Sequence, residues 1–368
     1  MILTINAGSS SLRLAAFEAG PDGLHRTAAI HHARDGAGPR DLLQRFLHDH
    51  KLPAPERVVH RVVHGGDAFV TPCRIDAAVE DGIDRLAPLA PLHNPAALEL
   101  IRISRELFGE TVFQVAVFDT AFFHELPDLA AGYALPGELA ARYGLRRYGF
   151  HGLAHQALWQ SWRERQSPAP QGARIISLQL GSGCSISAIR DGRPLDTSMG
   201  FTPLEGLVMA TRSGDLDPGL LLYLQRHAGL DARQLEEILN HRSGLLGLSG
   251  SSGDMRELLA SDSPGARQAI GLYCYRAAKY IGAYLAVLGG AQAIVFGGGV
   301  GEHAPLIRAR ILENLRWAGI HLDPAANEAT IGQPACISAS TSPVSIWVLP
   351  VDEASLMAEQ ARALSSGR

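Results

Sequence analysis

The chain has 368 residues, 46% apolar and 19% charged, the composition of a globular protein long enough to build two cores. Its formal charge of -4 comes without any basic run, which leaves no electrostatic footprint for nucleic acid or an anionic membrane surface. No stretch reaches membrane-spanning length, MILTINAGSSS lacks the basic segment of a secretory signal, and Cys73, Cys184, Cys274 and Cys336 lie apart with no CxxC pair, so free thiols in a reducing cytoplasm are expected.

From the N-terminus, Ile2 to Ile5 predicts a short strand that runs into Asn6-Ala7-Gly8-Ser9-Ser10-Ser11 and returns as a second strand from Leu12 to Phe17. The design recurs from Ile175 to Leu180, through Gly181-Ser182-Gly183-Cys184-Ser185, and on into Ile186 to Ile189. Such turns present backbone N–H groups and hydroxyls that can wrap phosphate oxygens. A plain surface hairpin accounts for either turn alone; two matched turns opening two halves weigh against it. Between them, Asn94 and Pro95 predict the cap and first residue of a helix over AALELIRISRELF, and Ser167 to Gly172 reads as a loop. Asp217 and Pro218 predict a second capped helix over GLLLYLQRH, and the longest helical pattern runs from about Pro264 to Leu288, breaks at Gly289-Gly290, and leads into a buried strand from Ala293 to Phe296. Strands mixed with helices throughout give an α/β class.

No Walker motif and no protein-kinase signature occurs. The cluster Gly297-Gly298-Gly299-Val300-Gly301-Glu302 follows the buried strand and precedes a helical pattern from about Ala304, where a helix N-terminus can face a nucleotide. Three polar islands stand in apolar flanks: His60-Arg61-Val62-Val63-His64-Gly65-Gly66, Ala116-Val117-Phe118-Asp119-Thr120 and Met209-Ala210-Thr211-Arg212-Ser213-Gly214-Asp215. Taken singly each has a bland explanation: Asp119 as a helix cap, Arg61 and Arg212 as solvated or paired cations, His151 as a satisfied core histidine.

In order along the chain, INAGSSSLR, HRVVHGG, APLHNP, VAVFDTAF, YGFHG, SMGFTPLEGL, TRSGDLDP, GDMREL, GGGVGE and VDE resemble the acetate kinase family over nearly the whole length. The resemblance implies two domains of one duplicated fold, similar to actin, the Hsp70 ATPase and sugar kinases (ribonuclease H-like), with a nucleotide cleft between them. The first domain would be residues 1–120 with a final helix from about 354 to 368, the second 121–353. The implied activity is reversible transfer of the ATP γ-phosphoryl to acetate, giving acetyl phosphate and ADP, with Mg²⁺ or Mn²⁺ and with a homodimer as the family's habit. Propionate or butyrate kinase is the alternative within the family, and a catalytically silent actin-like nucleotide-binding protein is the alternative of another class.

Carried over by resemblance, Arg61, Asp119, His151 and Arg212 would be catalytic, the arginines gripping the phosphoryl group. Asn6 and Glu353 would hold the metal directly or through water. Arg61, Val63, Leu92, His93, Phe150 and Pro203 would bind the acyl substrate. Ser11, Arg13, Gln179, Leu180, Gly181, Ser182, Gly183, Asp254, Met255, Arg256, Gly299, Val300, Gly301, Glu302 and His303 would surround the nucleotide. The chain departs from the family at Arg13, where lysine is usual, and at Gln179-Leu180-Gly181-Ser182-Gly183, where His-Leu-Gly-Asn-Gly is usual. It departs again at Leu153-Ala154, where hydroxyl residues are usual, and at Ala354, where a second acid is usual. These changes bear on phosphoryl donor and turnover more than on reaction class.

Overall fold

In the computed structural model, which describes residues 1–8, 11–33, 38–91, 93–168 and 170–364, each half of the chain builds a six-stranded sheet. The first contains β1 (Ile2–Ala7), β2 (Ser11–Gly20), β3 (Gly23–Ala33), β4 (Arg57–Val62), β5 (Cys73–Arg74) and β6 (Phe113–Phe118), in the order β3-β2-β1-β4-β6-β5. The second contains β7 (Arg174–Leu180), β8 (Cys184–Arg190), β9 (Arg193–Thr197), β10 (Ala293–Gly297), β11 (Ala335–Cys336) and β12 (Ser345–Val348), in the order β11-β12-β10-β7-β8-β9. Both sheets read the same way: an antiparallel three-stranded meander, its first strand parallel to two later strands, and a short antiparallel edge strand. The duplicated α/β fold is therefore written in the topology. Central parallel strands are covered on both faces, so their sequences run apolar without alternation; β1 and β10 are buried at every residue.

Each meander adds a strand that the apolar pattern did not announce. β3, GLHRTAAIHHA, forms a sheet edge, and its histidines, Arg26 and Thr27 interrupt any apolar run. The helix Pro264–Leu288 and its stop at Gly289, in the left-handed region at φ 65°, agree with expectation, as does the Asp217 cap, which accepts from Gly219 N at 2.9 Å. Two details differ. Asn94 does not cap its helix, which spans Asn94–Phe108 with His93 at the cap; the Asn94 side chain is buried and holds the His64 backbone from both sides, accepting from its N–H at 3.1 Å and donating to its carbonyl at 3.0 Å. The glycine cluster is itself helical, Gly298–His303, and the helix expected from about Ala304 is a separate one, Pro305–Leu312.

By compactness the chain divides into two units, Met1–His124 with Phe150–Leu153 and the segment from Asp352 onward, and Glu125–Gly149 with Ala154–Val351. In the first, Asn6 and Arg61 lie at the carboxyl ends of β1 and β4, and Asp119 follows the end of β6. In the second, Gln179 and Leu180 end β7 and the glycine cluster follows β10. Carboxyl ends of parallel strands are where open α/β sheets bind ligands, because the chain leaves the sheet there and frees polar groups.

Candidate active site

In the first unit one chain of hydrogen bonds links four of the expected residues. Glu353 Oε2 accepts from Asn6 Nδ2 at 2.6 Å, Asn6 Oδ1 accepts from Arg61 Nη1 at 3.0 Å, and Arg61 Nε donates to both Asp119 oxygens at 3.1 Å. Arg61 Nη2 closes a bidentate fork on Asp119 Oδ2. Asp119 is wholly buried, and Asn6 and Glu353 nearly so. Burial pushes the Asp119 carboxyl above its usual range, Arg61 pulls it back, and the Glu353 charge adds to the push. For Arg61, burial works against the charged form, but the Asp119 and Glu353 carboxylates outweigh it and hold the guanidinium above its ordinary value. The cluster carries two formal negative charges and one positive, a net of -1 in a desolvated place, which favours a cation.

Residues around His151 are fitted to the same cluster. His151 adopts φ 58°, a left-handed conformation that is uncommon for a non-glycine residue. Gly152 lies so close to Asp119 that a Cβ would collide with its carbonyl oxygen, and Leu153 N–H donates to the Asp119 carboxyl. Val63 and Phe150 are buried, with the His64 ring edge-on to Phe150 at 5.6 Å between centroids. His93, half-buried, lies at the cap of its helix; Leu92 lies outside the described residues. Ser11 accepts from Gly8 N through its carbonyl at 2.8 Å, whereas Arg13 points to solvent across from His31.

The second unit presents backbone more than side chains. In the β7–β8 turn, Gly181 N–H donates to Gly183 O at 3.1 Å, and Ser182 O accepts from Ala210 N at 2.9 Å, tying the turn to the segment that carries Arg212. That segment is irregular but closely held: Met209 N bonds Arg212 O, Ser243 N bonds Thr211 O, and Thr211 Oγ1 bonds Asn240 O. The Arg212 guanidinium donates to Pro203 O at 3.1 Å and contacts Met209 Sδ at 3.7 Å. Among the described residues no carboxylate forms an ion pair with it, and burial lowers its pKa from the ordinary value.

Other expected nucleotide residues divide sharply. Leu180 is core, and Gln179 has a buried Oε1 with no hydrogen-bond partner. Asp254 caps the helix Met255–Leu259, accepting from Arg256 N at 2.8 Å and from its Nε at 3.0 Å, which holds Arg256 outward with its side chain 90% exposed. The Arg256 bond lowers the Asp254 pKa. Met255 is buried. Of Gly299, Val300, Gly301 and Glu302, the last turns inward: its Oε1 accepts from Gly298 N at 2.9 Å and Val351 N at 3.2 Å. His303 packs over Gly332.

Comparisons with known proteins identify the family. The family model described as the acetokinase family matches residues 25–359. The chain belongs to the acetokinase family. It is 42% identical to an acetate kinase of Clavibacter michiganensis subsp. michiganensis (strain NCPPB 382), with 100% of both chains covered. The crystal structure of Porphyromonas gingivalis acetate kinase superposes with a TM-score of 0.86 at 36% identity over 98% of each chain. A propionate kinase from Francisella tularensis subsp. tularensis SCHU S4 superposes with a TM-score of 0.88 at 34% identity over 99% of each chain.

Several residues that hold this acetokinase site together were not singled out from sequence. Arg308 is fully buried with carbonyl partners: it donates to Gly301 O at 2.8 Å and Glu302 O at 3.2 Å, closing the end of the glycine-rich helix, and to Asn327 O and Thr330 O. His155 is buried between Ser177 Oγ at 2.6 Å and Ser185 Oγ at 2.8 Å, one on each strand of the β7–β8 hairpin. Its position four residues after His151, on the first turns of the helix Gly152–Glu164, was the available signal.

Proposed function

We propose that this chain transfers the γ-phosphoryl group of ATP to acetate, giving acetyl phosphate and ADP, and runs the reverse reaction. The observation that carries the reading is the contrast in the two arginines: Arg61 is fixed by a carboxylate, and Arg212 is a half-buried cation that, among the described residues, has no acid paired with it. An uncompensated guanidinium held by a carbonyl is suited to an anionic ligand that brings its own charge.

The acceptor needs no general base, because a carboxylic acid with a pKa of about 4 to 5 is already ionised at neutral pH. Asp119 fits that chemistry: its oxygens take three hydrogen bonds from two Arg61 nitrogens and one from the Leu153 backbone, so it orients Arg61 rather than removing a proton. Phosphoryl transfer spreads negative charge over the equatorial oxygens, and Arg212 and His151 are assigned to that charge. Glu353 would hold Mg²⁺, or Mn²⁺ in its place; the ion neutralises phosphate charge when bound. One carboxylate in a net-negative cluster fits an ion that keeps several waters and takes phosphate oxygens for the rest. Asn6 fits an indirect part, since its oxygen faces Arg61 and its amide holds Glu353. In the second unit, the β7–β8 turn and the helix Gly298–His303 with its neighbours are assigned to ATP or ADP.

Val63, Phe150, His93 and Pro203 are assigned to the acyl group, and the small buried Val63 favours acetate. Propionate is the second reading, favoured by the likeness to the Francisella propionate kinase. We assign the enzyme to the cytoplasm, with small molecules rather than nucleic acid or membranes as partners; among the described residues no helix is long and apolar enough to cross a membrane. A homodimer is also proposed. The helix Pro218–His227 buries none of its residues, and Leu220 and Tyr223, one turn apart, stand exposed on it, an apolar patch suited to a second copy. A hydroxamate assay with ATP and Mg²⁺ tests the activity. Acyl hydroxamate from acetate is expected; product from propionate with none from acetate overturns the first reading in favour of the second.

A further inference from the structure

Arg212 lies on irregular chain, and among the described residues its oxygen acceptor is the Pro203 carbonyl. A partly buried polar network engages the residues two positions before and two positions after Pro203. Tyr133 Oη donates to Glu205 Oε2 at 2.5 Å and accepts from Phe201 N at 2.8 Å. Glu205 Oε1 accepts from Arg147 Nη2 at 2.6 Å. Arg147 continues to Ala130 O, Thr197 O and Ser198 O at 3.2, 3.1 and 3.3 Å, and its guanidinium stacks over the Tyr133 ring at 5.7 Å. Gly200 sits so close to Glu205 and to Tyr133 Oη that any side chain there would collide with both, and its carbonyl accepts from Tyr148 N and Gly149 N. Pro203 is thus bracketed, with Phe201 bound on one side and Glu205 on the other.

We propose that Tyr133, Glu205 and Arg147 form a positioning network for catalysis, acting through the Pro203 carbonyl to aim the Arg212 guanidinium. A network with only a folding role would end at the turn. This one flanks the residue whose carbonyl accepts from Arg212. Burial and the Glu205 carboxylate raise the Tyr133 pKa, so the phenol stays a donor across the working range. Both Glu205 oxygens are taken, so the carboxylate is anchored rather than offered to a ligand.

The inference rests on the reading of Arg212 as the phosphoryl-binding cation, and a double-mutant cycle separates the two. Tyr133→Phe and Glu205→Gln are made in the wild-type protein and in Arg212→Ala and Arg212→Lys backgrounds, and kcat, KM and Tm are measured. Misplacing a group by a fraction of an ångström to an ångström lowers rates by about 10- to 100-fold, so each single variant is expected to lose that much kcat with KM for ATP changed less than about twofold. In the Arg212 backgrounds the same substitutions are expected to have little further effect on kcat. If the losses multiply independently of Arg212, or if Tyr133→Phe and Glu205→Gln lower Tm while leaving kcat intact, the positioning role is overturned. If Arg212→Ala itself keeps more than about a tenth of kcat, the assignment of Arg212 falls instead.

Discussion

The two units hold their arginine cations in opposite ways. In the first, side chains meet side chains: Glu353, Asn6, Arg61 and Asp119 are cross-linked in the interior, each tied to the carboxyl end of a strand or the start of a helix. In the second, Arg212 is held by a carbonyl and a run of backbone bonds on chain with no regular structure. A compensated cation is stable without ligand and suits a fixed reference point. An uncompensated cation keeps its charge for what arrives, at the expense of burying it alone.

The comparison can be broken most forcefully at Arg212. Arginines that neutralise a transferring phosphoryl are worth on the order of 10³ to 10⁵ in rate, so Arg212→Ala is expected to lower kcat by that order with little loss of Tm, since no ion pair is broken. Steady-state kinetics and a thermal melt on the same preparation check both halves. At Asp119 the balance should reverse toward stability. Removing one partner of a buried pair leaves the other unpaired, so Asp119→Ala is expected to destabilise the protein by about 3–5 kcal/mol, measured by urea unfolding, in addition to lowering kcat.

Smaller effects sharpen the picture. Val63→Ala should move kcat/KM toward propionate by roughly 10-fold or more, as expected when a methylene-sized restriction worth about 1–3 kcal/mol is relieved. No shift between the two acids would remove Val63 from the acyl site. Glu353→Ala should raise the Mg²⁺ needed for half-maximal activity by about 10-fold or more, whereas an unchanged Mg²⁺ dependence would return Glu353 to the role of a first-turn helix acid. The smallest effect is acid sensitivity. Burial lowers the His155 pKa to about 3 from 6.5, so below pH 6.5 the unfolded chain takes up a proton that the native site refuses. Its contribution to stability is full above that pH and is lost as pH falls toward 3, at about 1.4 kcal/mol per unit. His60 and His64, lowered by burial to about 4, add to the slope in the first unit, so His155→Gln should flatten the loss between pH 6.5 and pH 5 by about a third.

The sequence was most legible where local chemistry decides structure. Gly289 ended its helix, Asp217 capped another, and the paired hairpins foretold two sheets of one topology. The site residues with distinctive surroundings, Arg61, Asp119 and Arg212, stood out as polar islands among apolar residues. What remained hidden depends on partners distant in sequence. Glu205 is 58 residues from Arg147 and 72 from Tyr133, and nothing in FTPLEGL says that its acid faces inward. Asn94 looked like a cap because the rule is local, while the His64 backbone that claims its side chain is 30 residues away. The glycine cluster hid its helix because glycine disfavours helices in isolation, and only the Glu302 carboxylate and Arg308 at its two ends reveal how it is held.

Gly152 carries a consequence for how this protein can vary. Its α-carbon is a spacer between His151 and the Asp119 peptide, and the gap admits a hydrogen and nothing larger. Substitution there has no graded series: alanine, the smallest possible step, must already push the His151 turn away from Asp119. Leu153 and Ala154, which follow, are buried, and the Leu153 N–H donates to the Asp119 carboxyl, so the turn meets the cluster through its backbone. Random mutagenesis of this turn should therefore recover no active variant at 152.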